Sequence, residues 1–289
     1  MIDKTVIEKI EEKLNCKTES VDSISGGCIS HAFRIIMKNK ETYLLKVNNS
    51  VPVDMFKCEA NGLNELMKPA VIRVPRPVLA DNNFILMEFI SGRSEAPDFF
   101  EQFGRNFARL HRFKSGSFGF YENNYIGSTP QINIPSKEES ENWIKFYFNK
   151  RLKYQFSLAE KNGFASADLK KSFAGIENKI DTILATDDAL PSLLHGDLWS
   201  GNYIADEKGN ACLIDPAVYY GHREADLAMT KLFGGFSNRF YLAYDEEYPL
   251  ADGYNYRENI YKLYHVLNHL NLFGAAYHGQ AVSLMNFYL

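Results

Sequence analysis

The chain reads as an α+β protein in two parts: a small lobe built on an antiparallel sheet over residues 1–91 and a mainly helical lobe over residues 92–289. Three observations predict this. Short β-rich apolar runs separated by turn residues fill the first part. Beyond it, apolar residues recur at helical spacing. Ser91-Gly92 breaks the last strongly apolar run of the first part, and a length of 289 residues suits two such bodies.

The elements follow in order. Ile7, Ile10 and Leu14 place a short amphipathic helix over 3–14. Strands at 21–24 and 32–36, joined through Ser25-Gly26-Gly27-Cys28-Ile29-Ser30, read as a hairpin. Tyr43-Leu44-Leu45-Lys46-Val47 is a third strand, interrupted by one lysine. A helix over 53–68 ends before Pro69, Val74-Pro75-Arg76-Pro77 is a rigid extended connector, and residues 84–90 form a strongly apolar strand. In the second part, Phe99, Phe103, Phe107 and Leu110 mark a helix over 98–112. The polar, Gly- and Asn-rich stretch 114–138 is expected to be a long loop, with helices at 139–161, 166–185, 224–232 and 256–273.

Bulk properties exclude several classes. Hydrophobic content of 45% supports a real core, and 21 Phe with 17 Tyr should make it rich in rings. A net charge of −4 with scattered Lys and Arg argues against a nucleic-acid partner. The start MIDKTVIEKIEEKL lacks the apolar core of a secretory signal, and no run approaches the ~18 apolar residues of a membrane span. Cys16, Cys28, Cys58 and Cys212 show no C-x-x-C pair and no zinc spacing, so reduced thiols in a cytoplasmic protein are expected.

The most informative stretch is LLHGDLWSGNYIADEKGNACLIDP, which holds His195, Asp197, Asn202 and Asp215. Asp197 and Asn202 are five positions apart, the Asp-x4-Asn spacing of a kinase catalytic loop. Asp215 follows the apolar run Cys212-Leu213-Ile214, a short buried strand delivering a carboxylate at its end. Phosphoryl transfer from ATP needs one carboxylate to accept a hydroxyl proton, here Asp197. It also needs an amide oxygen and a second carboxylate to hold Mg²⁺ against the phosphates, here Asn202 and Asp215. A polar loop before a strand that ends in Asp-Pro is the plain alternative, and the apolar strand on each side of the loop speaks against it.

Other residues fall into place around that stretch. Lys46 on its strand and Glu59 on the following helix are a candidate phosphate-anchoring pair. The turn with Gly26, Gly27 and Cys28 would bring backbone N–H groups to the phosphates, although a Gly-Gly turn is common in any β protein. Glu88, Phe89 and Ile90 are the positional candidates for backbone contact with adenine. His195 is expected to orient the loop and Asp226 to buttress it, helix capping being the plain reading of Asp226. Trp199, His222, Arg223 and Glu224 are candidates for a polar substrate pocket, whereas His111 and His269 read as core or surface histidines. Cys28, beside Lys46 and the turn amides, is expected to be slowly oxidised and protected by ATP, with an inert turn residue as the open alternative.

With those residues in hand, the chain resembles the fructosamine kinase (ketosamine kinase) family, relatives of the aminoglycoside phosphotransferases. The resemblance rests on SGGCIS (25–30), Lys46, Glu59, HGDLWSGN (195–202), IDPA (214–217), YYGHREADLAMT (219–230), LFGGF (232–236) and NHLNLFG (268–274), and runs from about residue 20 to 274. It implies a two-lobed protein-kinase-like fold and ATP–Mg²⁺-dependent phosphorylation of the 3-hydroxyl of a ketosamine, as a free small molecule or on a glycated protein amine. The product is labile, which implies release of the amine and deglycation repair. By position it assigns Asp197 as base, Asn202 and Asp215 to the metal, and Lys46 with Glu59 to the phosphates. Pro216 stands where protein kinases have Phe-Gly, and no phosphorylation-controlled loop is visible between Asp215 and Glu224, which implies constitutive activity. A monomer or a redox-linked dimer is compatible with the sequence. Two alternatives stay open: a phosphotransferase of the aminoglycoside or choline kinase type, and a catalytically silent nucleotide-binding protein.

Overall fold

Alternation along the strands decides which side chains face the first core. In the computed structural model, which describes residues 2–24 and 30–289, β1 (Thr18–Ile24), β2 (His31–Met37), β3 (Thr42–Val47), β4 (Pro77–Ala80) and β5 (Phe84–Glu88) form one sheet. Their order is β1-β2-β3-β5-β4, every neighbouring pair antiparallel. Ile35, Met37, Leu45, Val47, Phe84 and Leu86 bury one face under Val6 and Ile10 of α1 (Lys4–Leu14). Each such side chain contributes roughly 1.5–3 kcal/mol when fully buried. Lys46 sits between two of these inward positions, so the pleat sends it to the opposite face. The turn holding Gly26, Gly27 and Cys28 lies outside the described residues.

The chain divides into two compact units, Met1–Phe99 with Tyr203–Pro216, and Phe100–Asn202 with Ala217–Leu289. The first unit therefore includes a hairpin from the middle of the sequence, Tyr203–Ala205 against Ala211–Leu213, turned at Gly209 with φ +79°. Backbone bonds tie it in place: Leu213 N–H donates to the Arg73 carbonyl at 2.9 Å and Arg93 N–H to the Ala205 carbonyl at 3.1 Å. Asp215 thus packs in the same unit as Lys46, although 169 positions separate them. Two details differ from the sequence reading. The first strand starts at Thr18, and the segment after Pro75 forms the edge strand β4, where Pro77 is tolerated because an edge needs fewer ladder bonds.

The second unit is mainly helical. Its longest helices are α3 (Phe99–His111), Ala167–Ile183 and Tyr254–Phe273. Rings fill its interior: Phe103 and Phe107 pack with Phe240 at 5.1 and 5.8 Å between centroids, and Tyr147 meets Tyr261 edge-on at 5.0 Å. The expected loop 114–138 instead contains the hairpin Asn124–Ile126 and Thr129–Gln131. Its polar residues are buried in mutual hydrogen bonds: Gln131 donates to Asn124 Oδ1 and to the Ala217 carbonyl, and Asn133 donates to Asn124. The expected helix 139–161 is split into Lys137–Glu141, Trp143–Tyr147, a π-helical turn Phe148–Lys153 and Tyr154–Lys161. The break is at Asn142, extended at φ −127°, whose side chain caps the next helix by accepting from Lys145 N–H at 3.0 Å. Helices Asn238–Glu247 and His278–Asn286 were not anticipated. Among the described residues, no helix is long and apolar enough to cross a membrane, and Cys16, Cys58 and Cys212 are free thiols.

Candidate active site

In the first unit, β3 and α2 (Met55–Met67) bring Lys46 and Glu59 together, Nζ to Oε1 at 2.7 Å. The same ammonium is hydrogen-bonded to Asp215 Oδ1. Asp215 holds a left-handed backbone, φ +54°, which swings its carboxylate off the end of the hairpin strand. Burial disfavours the charge on Lys46, but the carboxylates of Asp215 and Glu59 outweigh it and hold its pKa above the ordinary value. Arg73 ties the frame around this cluster. Its guanidinium reaches Glu88 at 2.6 Å, Glu207 at 2.6 Å and Asp206 at 3.3 Å, joining β5 to the hairpin before Asp215. Glu88 is therefore a framework residue: its carboxylate serves Arg73, and its N–H donates to the Arg76 carbonyl at 2.9 Å. Phe89, half-buried, and Ile90, buried, continue beyond the strand. Burial pushes the nearby Cys212 thiol up to about 12, which disfavours its thiolate.

In the second unit, strand Ser192–Leu194 leads into the loop 195–202. Gly196 has φ +84°, and a Cβ there would fall 1.9 Å from the Ala217 carbonyl oxygen, so only glycine fits. The loop is anchored from below by Asp226, whose Oδ2 accepts from His195 N–H at 2.7 Å and whose Oδ1 accepts from Gly196 N–H at 2.8 Å. Burial raises the Asp226 pKa, yet bonds from His111 and the loop N–H groups overcome it, and the carboxyl stays below its ordinary value. His111, itself fully buried, lies 3.3 Å from Asp226 and 2.7 Å from the Tyr244 hydroxyl. Higher in the loop, Asp197 N–H donates to His195 Nδ1 at 3.3 Å. Asn202 donates its amide to the Asp197 carbonyl at 2.7 Å and faces Asp197 Oδ2 at 3.3 Å, which leaves its Oδ1 as the end that can meet a cation.

The substrate candidates separate. Trp199 is half-buried, edge-on to Phe233 at 6.0 Å. His222, Arg223 and Glu224 are almost wholly buried and occupied internally, so in this conformation they do not line a solvent-open pocket. Arg257 grips Glu224 through two bonds of 2.6 and 2.7 Å, His222 Nδ1 meets the Tyr261 hydroxyl at 3.0 Å, and Arg223 reaches Asp188 at 2.6 Å. Burial nevertheless raises the Glu224 pKa and holds His222 far below its ordinary value. Two residues of this frame escaped the sequence reading, Arg73 and His265, the latter with Nδ1 at 3.9 Å from Asp197 Oδ1, whereas His111, read as a core or surface histidine, is a buried partner of Asp226. Nothing local marks them, because each is defined by a partner far away in the chain.

Asp215 in the first unit and Asn202 in the second each offer an oxygen of the kind a hard divalent cation takes. No group of three or more His, Cys, Asp or Glu that could hold a metal exists among the described residues.

Known proteins similar to this chain are kinases and phosphotransferases by name. The model of the fructosamine kinase family matches residues 2–289. A protein-ribulosamine 3-kinase of Arabidopsis thaliana, chloroplastic, is 40% identical over 277 residues, covering 93% of this chain and 82% of that protein. A crystal structure of a fructosamine-3-kinase candidate from Thermobifida fusca superposes with a TM-score of 0.87 at 30% identity, covering 98% of both chains. An ADP-bound aminoglycoside phosphotransferase shares the fold, with a TM-score of 0.67 at 14% identity over the whole of both chains.

Proposed function

The chain belongs to the fructosamine kinase family, and from that premise we propose that it transfers the γ-phosphoryl group of ATP to the 3-hydroxyl of a ketosamine, free or carried on a protein amine. The observation that carries the reading is the half-buried Lys46, held at once by Glu59 and Asp215. A cation kept charged by two carboxylates is ready to exchange one of them for phosphate oxygens. Asp215 and the Asn202 amide oxygen would hold Mg²⁺. Bound there, the ion would neutralise charge on the phosphates.

Asp197 supplies the proton acceptor. An aspartate is a weak base in the ground state, so its work is to orient the hydroxyl and take the proton as the new bond forms. The substrate oxygen attacks the γ-phosphorus, the bond to the β-phosphate oxygen breaks, ADP leaves, and the proton passes to Asp197. The 3-phosphate so formed is a leaving group beside the ketone: enolisation expels inorganic phosphate, and water then hydrolyses the resulting imine, breaking its carbon–nitrogen bond and freeing the amine, so the reaction is a deglycation step. Trp199 is the candidate contact to the sugar. The free thiols at Cys16, Cys58 and Cys212 favour a reducing, cytoplasmic setting for this activity.

A panel of fructosyl-, ribulosyl- and erythrulosyl-amines, run beside aminoglycosides with ADP release as the signal, tests the proposal. Turnover on at least one ketosamine is expected. Turnover confined to the antibiotics would overturn it.

A further inference from the structure

His265 lies on the helix Tyr254–Phe273 with only 4% of its side chain exposed. Its Nδ1 is buried and has no hydrogen-bond partner among the described residues. That nitrogen is 3.9 Å from Asp197 Oδ1, too far for a hydrogen bond and too close for coincidence to be costless. A buried polar atom without a partner is a standing penalty, and such atoms in native folds call for a reason. Catalytic hydrogen bonds are often long before ligands arrive and shorten in the loaded enzyme.

We propose that His265 is a positioning residue for Asp197: on binding of nucleotide and acceptor, its Nδ1–H closes onto the Asp197 carboxylate and fixes the face that receives the hydroxyl proton. The inference rests on the role of Asp197 given above. Its chemistry follows from the groups present. An ionised carboxylate only accepts, and a neutral imidazole has one N–H to give, so donation from Nδ1 is the bond available. The ring is kept neutral because burial pulls its pKa down to about 3, with His269 and Arg151 adding to the effect against Asp226. A neutral donor orients the base without the full positive charge that would weaken it. The ring is itself braced by Tyr264, edge-on at 4.9 Å, and its backbone carbonyl accepts from His269 Nδ1 at 2.8 Å.

Three variants separate positioning from mere packing. Asn places a donor near Nδ1, Gln places one near Nε2, and Leu places none. Loss of one hydrogen bond to a charged group corresponds to about ten- to a hundredfold in rate. His265→Gln and His265→Leu should lose kcat by that amount with KM for ATP unchanged, whereas His265→Asn should stay within a few-fold of the parent. His265→Leu should also melt no lower than the parent, since it removes an unpartnered buried atom. Equal losses in all three, or kcat falling in step with melting temperature, would overturn the proposal. A reading that needs no turnover comes from the ¹⁵N resonance of Nδ1. It should move when a non-hydrolysable ATP analogue, Mg²⁺ and a ketosamine are added to the wild type, and stay put in Asp197→Ala, which has no acceptor to offer. A wild type inactive on every ketosamine would sink the functional reading, whereas a resonance that moves equally in both proteins would sink the His265 inference alone.

Discussion

Lys46 with Glu59 and Asp215 in the first unit, and the Asp197 loop in the second, are stabilised in opposite ways. The first is a cluster of side-chain charges from three separate elements, with Asp215 left-handed at the end of its strand and 43% of its side chain open to solvent. The second is a backbone shape. A glycine that tolerates no Cβ, two successive N–H groups on one buried carboxylate, and a buried histidine behind that carboxylate fix it before any ligand arrives. The contrast suits the two tasks. Charges that a nucleotide must replace are better held by one another than by the backbone. A proton acceptor must keep one direction through every cycle, so it stands on a loop that cannot move cheaply.

That contrast can be broken at its stiff end first. Asp226→Asn keeps the size of the side chain but turns an amide NH₂, a donor, toward one of the two N–H groups from which Asp226 accepts. It should cost about 3 kcal/mol of stability, the scale for disrupting charged hydrogen bonds at a buried carboxylate. Urea unfolding measures this, and a loss well under 1 kcal/mol would show that the loop does not depend on Asp226.

The charged end should respond the other way. Lys46→Met combined with Glu59→Gln removes both members of a poorly exposed pair, and the desolvation cost of such a pair offsets most of its attraction. Unliganded stability should change by no more than about 1 kcal/mol, while ATP affinity falls about ten- to a hundredfold with the lost phosphate contact. Titration calorimetry alongside urea melts reads both. A large stability loss with unchanged ATP affinity would assign the pair to the fold rather than to the nucleotide.

A smaller effect comes from pH. Burial lowers the pKa of His111, His222 and His265, all in the second unit, below the ordinary imidazole value of about 6.5. Below that value the unfolded chain takes up protons that the native state refuses, so stability falls as pH falls from about 6.5. Each histidine contributes up to about 1.4 kcal/mol per pH unit until its native pKa is reached. A stability profile flat between pH 7 and 5 would contradict the buried neutral state of these rings.

How much of this was visible beforehand depends on where the information sits. The motif residues are close together in the chain, and Lys46 with Glu59 spans a single strand–helix step, so type and spacing pointed to them. Arg73, His111 and His265 act on partners 15 to 134 positions away or further round the fold, and no periodicity marks them. His222 and Glu224 looked like pocket residues because their block is polar, yet Tyr261 and Arg257 on a later helix claim them. Composition also misled at 114–138, where Asn124, Gln131 and Asn133 look solvated but satisfy one another in the interior. At 139–161 the expected helix runs through Asn142, and only the cap geometry reveals that one helix ends there and another begins.

The central claim concerns the carboxylate at position 197, and Asp197→Asn tests it most directly, with turnover and ATP binding measured on the same preparation. The expected result is a fall in kcat of about 10²–10⁴, the range for removing a general base, with ATP affinity close to that of the parent. A variant that still phosphorylates ketosamines at the parent rate would contradict the account, because some other group would then be receiving the proton.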